Sequence, residues 1–599
     1  MRESEIFYKK TGKQAVIRAR TCIFADRNSN KERKMKENIV REVRGWTKAV
    51  LPICLFVLLP FSAVAQSNSN HNFEVAKQLE IFNAIYRNLD LMYVDTLNAE
   101  ELVTTGINAM LRSLDPYTEY YPASKKSDLK TMLTGKYAGI GSLIRYHQRL
   151  KHVVIDEPYA GMPAAEAGLK KGDIIISIDD STMLDKSTAY VSEHLRGDAG
   201  TSFVLKIKRP STGKEMKFKI TRRNIQLPEI PYYGMRDAGI GYIKLTSFVG
   251  EPSKSMRRAF IDLKKQGATS LILDLRGNGG GSLSECIDII NMWVPKGLLL
   301  VETKGKLNRA NSSYTTRLEP IDTVMPIVVL VNDETASASE ITSGSIQDLD
   351  RGIIIGTRTY GKGLVQVPNI ELPYNGNLKL TTSKYFIPSG RCIQALNYRH
   401  SGGGYTERVP DSLTNVFHTL HGREVRDGGG ITPDIEIKPD TLPNIAVYLD
   451  RIDSCEVMFD FVAEYIAKHP TIAPAEEFHI TDADFNEFKR RVVASGFTYD
   501  PISEKRFEEL VKAAKFEGYY DEAQPEFEAL KAKLKHDVAQ EMDRHSKVLR
   551  ELIEQDIIMA YYYQEGITKA SLATDSQYLE AERLLKNPDE YYRLLQPKK

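Results

Sequence analysis

Between residues 224 and 440, short apolar runs alternate with stretches of helix length, and no other feature constrains the fold of this chain as much. The runs at 240–245, 270–275, 327–331 and 353–355 read as buried strands, and the stretches at 252–266, 284–294 and 337–349 read as helices between them. Strands separated by helices predict an α/β arrangement with crossover connections. The chain has 599 residues. That is too long for one hydrophobic core and suggests roughly four domains at about 150 residues each.

The flanks read differently. An apolar run at 49–61 follows Arg41, Arg44 and Lys48 and ends in Ala63-Val64-Ala65, which predicts a secretory signal (1–65) cleaved after Ala65. The run is shorter than the ~20 residues of a spanning helix, and Pro52 and Pro60 weaken it further, so no stable membrane span is expected after cleavage. Met35, followed by Lys36, would also begin a conventional signal, which leaves the start open between Met1 and Met35. Residues 66–135 carry apolar positions at helical spacing, among them Phe73, Leu79, Phe82 and Leu89, and predict a small N-terminal helical domain. Residues 136–223 change to short strands, and 441–599 turn helical and charged. Leu534, Val538, Met542, His545, Leu549 and Leu552 form one helical stripe in that last segment.

Charge excludes one class of partner. With 81 Lys+Arg against 79 Asp+Glu, the net charge of +2 provides no field for nucleic acid. Beyond the signal, Cys286, Cys392 and Cys455 are widely spaced, so neither a disulfide framework nor a structural metal is expected.

Three segments carry chemistry. Ser337 lies in Asn332-Asp333-Glu334-Thr335-Ala336-Ser337-Ala338-Ser339-Glu340-Ile341, where a buried strand turns into a helix. Lys362 lies in Thr359-Tyr360-Gly361-Lys362-Gly363, where flanking glycines let backbone pack closely around it. Upstream stands Asp274-Leu275-Arg276-Gly277-Asn278-Gly279-Gly280-Gly281. A serine hydroxyl needs a base, and none of the 11 histidines falls in these segments. Lysine is the better candidate, although acting near neutrality asks for a drop of ~3 pKa units, about 4 kcal/mol, from its usual ~10.4. Burial among apolar groups provides such a drop. A serine at a helix start also meets unpaired N–H groups and the positive end of the dipole. The Ala338 N–H is one expected oxyanion donor, and Gly280 or Gly281 the other, because only side-chain-free backbone comes so close to a substrate. Ser339 is the rival nucleophile.

Together these segments resemble the carboxyl-terminal processing peptidases, or tail-specific proteases. Lys362 follows Ser337 by 25 residues, as in that family, and Gln366 matches the glutamine that there holds the lysine. Leu114-Asp115-Pro116-Tyr117-Thr118, Gly390-Arg391 and Gly430-Ile431-Thr432-Pro433-Asp434 also fit, and Asp348 matches a family aspartate expected to be structural. Pro163-Ala164-Ala165-Glu166-Ala167-Gly168-Leu169 and the following Lys170-Lys171-Gly172-Asp173-Ile174-Ile175 resemble a PDZ domain (136–223), in which Gly139-Ile140-Gly141 would be the loop that holds a peptide carboxylate.

The resemblance covers roughly residues 75–440. It implies a multidomain α/β protein: a crotonase/ClpP-like serine peptidase core (224–440) with an inserted PDZ domain, the N-terminal helical domain and a C-terminal helical extension. The implied activity is an exported serine endopeptidase with a Ser337–Lys362 dyad, needing no metal or organic cofactor, in the periplasm or envelope of a bacterium. Its partners would be protein or peptide substrates with free C-termini, and a homo-oligomer stays open. The alternative is a catalytically inactive PDZ scaffold of the cell envelope. Two other matches lack support: Ser282 replaces the third glycine of a dinucleotide fingerprint, and Ser127-Asp128-Leu129-Lys130 has no Ser-Asp-Asn partner motif.

Overall fold

The computed structural model describes residues 61–395, 409–439, 441–452, 456–499, 502–534 and 537–597. The expected signal up to residue 60, Cys455 and the first part of the polar tract after Ala395 lie outside them. Two units emerge, 1–103 and 104–599. In the first, the helix Phe61–Met92 leaves Phe73, Leu79 and Phe82 exposed. The division between Val103 and Thr104 falls inside the span 66–135 expected for the N-terminal helical domain. In the second unit, the strand Glu119–Tyr121 pairs with Asn377–Phe386.

The predicted alternation is present. One sheet runs in the order Tyr232–Arg236, Ile240–Lys244, Ser270–Asp274, Ile327–Val331, Ile353–Gly356, Ile435–Glu436; its first pair is antiparallel and the rest are parallel. Every residue of Ser270–Asp274, Ile327–Val331 and Ile353–Gly356 is buried, as a parallel sheet covered on both faces requires. The helices Pro252–Lys265, Leu283–Ile290 and Ala338–Asp348 cover one face, packing Phe260, Ile289 and Ile341 on Ile243, Leu273 and Val329.

The other face is closed by the end of the chain. Tyr578, Leu584 and Tyr591, from the helices Ser576–Leu585 and Pro588–Leu594, bury Tyr242, Ile272, Val328 and Ile355. The C-terminal extension therefore completes the core of this α/β sheet. A second, antiparallel sheet of five strands, which the alternation did not predict, joins Leu299–Gly305, Ser312–Thr315, Leu364–Glu371 and Asn377–Phe386 to Glu119–Tyr121.

Residues 142–221 form their own sheet, in which Ser142–His147 is an edge strand paired, among the described residues, only with His152–Pro158. This domain docks on the C-terminal helices. Phe459, in the helix Val457–Lys468, packs on Val154 and Ile174. His147, fully buried, lies 2.7 Å from Glu456 and 3.1 Å from Asp460. Burial disfavours its charged form, but the two carboxylates outweigh that and push its pKa up to about 9. The apolar stripe expected from Leu534 to Leu552 is broken at His545, between the helices Val538–Arg544 and Ser546–Leu572, although Met542 and Leu549 are both buried in one core.

Candidate active site

The site lies at the carboxyl ends of the parallel strands, where open α/β sheets bind ligands. Ile327–Val331 runs through a short loop into the helix Ala338–Asp348, and Ser337 caps that helix with φ 57° and ψ −117°. Positive φ is strained for a residue with a Cβ and persists only where the surroundings over-determine it. Here they do. The Ala336 N–H donates to the Asn278 carbonyl (3.0 Å), the Ser337 N–H to Glu340 Oε2 (2.9 Å), and the Tyr385 hydroxyl to the Ser337 carbonyl (3.3 Å). The strained turn leaves Ser337 half-buried between buried neighbours. Ser339 is fully buried, and its hydroxyl donates to the Asn278 carbonyl (2.9 Å).

Glu340 ties the serine to the lysine segment. Its Oε1 accepts from the Thr359 hydroxyl (2.6 Å) and the Gly361 N–H (2.7 Å), and its Oε2 from the N–H groups of Ser337 and Lys362 (2.8 Å for the latter). Burial pushes this carboxyl up to about 7, while the four donors pull the other way. The Ser337 to Glu340 spacing is that of a capping box, a signal visible in the sequence that the search for nucleophile and base passed over. Gly361 has φ 89°, and a Cβ there would stand 2.2 Å from Ala395 Cβ, so only glycine allows this approach.

Lys362 is half-buried, with Nζ 4.3 Å from the Tyr117 ring centroid. Its pKa is lowered, first by burial and then by the charge of Lys379, against Glu340, Asp115 and Glu119. The Lys362 carbonyl lies closer to the Tyr385 hydroxyl than the Ser337 carbonyl does, and the two carbonyls share its single proton. Gln366, expected to hold the lysine, donates from Nε2 to Thr381 Oγ1 (3.2 Å). Among the described residues neither Gln366 nor the Ser337 hydroxyl is hydrogen-bonded to Nζ. Such bonds often form only once substrate is bound.

The glycine turn meets the serine through Gly280. A Cβ there would lie 2.7 Å from Ala336 O and 2.8 Å from both Ala338 N and Ser337 Cβ, whereas one on Gly281 would strike Phe248. The Gly280 N–H donates to Asn278 Oδ1 (2.9 Å), so it is engaged within its own turn. The Ala338 N–H has no acceptor among the described residues. Asp274, at the root of the turn, is fully buried and accepts from the Tyr242 hydroxyl (2.7 Å) and from Arg276 Nε and Nη2 (2.9 and 2.6 Å). Burial would raise its pKa, but Arg276 more than reverses this, to about 2.

Residues 239–398 match the family described as Peptidase family S41, and 154–209 match a PDZ domain. A carboxy-terminal-processing protease of Bartonella bacilliformis is 34% identical over 347 residues, 57% of this chain and 79% of that protein. The carboxyl-terminal-processing protease of a Synechocystis strain is 34% identical over 306 residues, 50% of this chain and 70% of the relative. The chain belongs to the carboxy-terminal-processing protease family. It is a serine-type peptidase of that family, with a PDZ domain beside an α/β peptidase core. Residues 448–585 match a third family, described as Probable PDZ-protease, C-terminal helical domain, which covers most of the segment expected to be a C-terminal helical extension. A solved photosystem II D1 C-terminal processing protease is 27% identical over 60% of this chain and 87% of its own, with a TM-score of 0.34.

In this family member, Gly139-Ile140-Gly141 leads into the edge strand Ser142–His147, opposite the helix Thr188–Leu195. Ile140 is buried and its carbonyl accepts from the Ala164 N–H (2.8 Å). The N–H groups of Ile140 and Gly141 have no acceptor among the described residues. Those donors and the unpaired strand edge are the two things a peptide needs in order to add a strand with its terminal carboxylate held.

Proposed function

We propose that this protease cleaves polypeptides with Ser337 as nucleophile and Lys362 as general base, and that its PDZ domain selects substrates by their free C-terminal tails. The observation that carries the reading is the strained backbone at Ser337, clamped through Glu340 to the segment bearing a desolvated lysine. An inactive scaffold has no physical need for that strain.

The neutral Lys362 amine accepts the Ser337 proton as Oγ attacks the scissile carbonyl carbon. The carbonyl oxygen becomes an oxyanion facing the Ala338 N–H at the positive end of its helix. The C–N bond then breaks as the Lys362 ammonium protonates the leaving amine. In the second half, the same amine takes a proton from water as its oxygen attacks the acyl carbon, and the ammonium so formed returns a proton to Ser337 Oγ as the ester C–O bond breaks. Gly139 to Gly141 would receive the tail carboxylate.

We further propose that residues 1–65 direct export to a bacterial envelope, which N-terminal sequencing of the mature protein tests by starting or not starting at Gln66. No helix of the described residues is long and apolar enough to cross a membrane.

The decisive experiment incubates the protein with an unstructured polypeptide bearing an apolar C-terminus, as free acid and as amide, beside Ser337→Ala and Lys362→Arg. Both variants are expected to fold and to be inactive, since a guanidinium stays protonated. The amide is expected to be cut more slowly. Turnover by Ser337→Ala overturns the nucleophile, and equal cleavage of acid and amide overturns the tail reading.

A further inference from the structure

Arg276 connects the active-site turn to the far end of the chain. Its Nε and Nη2 are taken by Asp274, two residues back, while Nη1 reaches Asp575 Oδ2 (2.6 Å) and Gln577 Oε1 (3.1 Å). Asp575 is the N-cap of the helix Ser576–Leu585, and its Oδ1 accepts from the N–H groups of Gln577 (3.0 Å) and Tyr578 (3.1 Å). Gln577 is buried, and its amide donates to the Ile437 carbonyl (2.7 Å). The guanidinium is therefore gripped on one side by the last residue of the strand that precedes it and on the other by a helix that covers the opposite face of the sheet.

Geometry explains why the second grip matters. Two bonds to one carboxylate fix a guanidinium relative to that carboxylate, but the pair can still rock together about the Asp274 side chain. A third point of attachment on a different element removes the rocking. The next residues along the chain form the turn whose Gly280 presses on Ser337 and on the Ala338 N–H. The same turn is bonded to the serine loop: the Gly277 N–H donates to Asn332 Oδ1 (3.0 Å), and Asn278 accepts from Ala336 and Ser339. A shift at Arg276 is passed straight to the place where an oxyanion would form, and a displacement near 1 Å there costs up to ~100-fold in rate.

We propose that Asp575 and Gln577 are positioning residues for peptide hydrolysis, acting through Arg276 to seat the glycine turn against Ser337. The C-terminal helical domain is then a working part of the active centre. This inference rests on the reading of Ser337 as the nucleophile.

The test separates positioning from helix stability. Asparagine caps helices about as well as aspartate, so Asp575→Asn keeps the cap and removes only the charge beside Arg276. In the full chain, assayed well below its melting temperature, Asp575→Asn is expected to lower kcat about tenfold, with KM within about twofold. Gln577→Ala, which leaves the cap alone, is expected to lower kcat in the same way. Tyr591→Phe is the structural control: its hydroxyl bonds the Ile327 N–H and carbonyl on the same sheet face, far along the chain from Arg276. It is expected to lower the melting temperature and leave kcat unchanged well below that temperature. Wild-type kcat in both Asp575→Asn and Gln577→Ala overturns the inference, provided Ser337→Ala is inactive. An active Ser337→Ala instead overturns the reading beneath it.

Discussion

Adjacent glycines in the turn should respond in opposite ways to the same added methyl group. Gly280 has φ 95°, where an L side chain costs about 1–2 kcal/mol. Its added Cβ would also sit 2.7 Å from Ala336 O and 2.8 Å from Ala338 N and Ser337 Cβ, two of them backbone atoms that no rotamer change can move away. Relieving those contacts requires the turn and the serine to part by roughly half an ångström or more, since non-bonded carbon contacts settle near ~3.5 Å. That displacement falls on Ser337 and on the Ala338 N–H together. Loss of one oxyanion donor alone costs ~100- to 1,000-fold in kcat. Gly280→Ala is therefore expected to lose at least ~100-fold in kcat and about 2–3 kcal/mol in stability. Gly279 is outside the positive-φ set and has nothing within 4 Å of an added Cβ. Gly279→Ala should stay within ~0.5 kcal/mol of the parent and keep its kcat within a few-fold. Steady-state hydrolysis of a chromogenic peptide and urea melts on the same preparations measure both. A folded Gly280→Ala with near-parent kcat, or a Gly279→Ala equally impaired, would refute the placement of this turn.

Three further outcomes follow from the site. Ser339→Ala should keep substantial turnover, because the hydroxyl it removes is buried on the Asn278 carbonyl; inactivation there with activity retained in Ser337→Ala would exchange their roles. The kcat/KM of the free enzyme should rise with pH as Lys362 loses its proton. Lys379 disfavours the ammonium and Glu119 favours it, so Lys379→Met should move the rising limb to higher pH and Glu119→Gln to lower pH, and opposite displacements in a pH–rate profile would exclude Lys362 as the base. Glu340→Gln turns an amide N–H₂ toward buried donors, so denaturant melts should show a loss of about 2–3 kcal/mol and assays a lower kcat; unchanged values would mean that the carboxylate does not clamp the two segments.

Local pattern was enough for the four central strands of the parallel sheet and their crossover helices, but not for its edge strands Tyr232–Arg236 and Ile435–Glu436. A fully apolar run of strand length beside an amphipathic stretch carries its own solution, and the predicted segments differ from the observed ones only at their ends. The candidate motifs were equally local, since Ser337, Lys362 and the glycine turn each sit in a few residues that offer a hydroxyl, an amine or bare backbone. The second sheet was not legible, because Glu119–Tyr121 is three residues long and its partner Asn377–Phe386 lies more than half the core away in sequence.

The sequence by itself determined which residues could do chemistry and that their strands would be buried on both faces. Only the tertiary structure decided what covers the second face and what holds the site in register. Periodicity shows that an apolar face must be covered, but the covering element is chosen by shape and by pairing across hundreds of residues. Thus Tyr578 and Tyr591 could be read as helix positions, while their place on Tyr242, Ile272 and Val328 could not. The same holds for Asp575, an ordinary helix cap in sequence. It reaches Arg276 because the chain's last helices close the sheet that its middle begins.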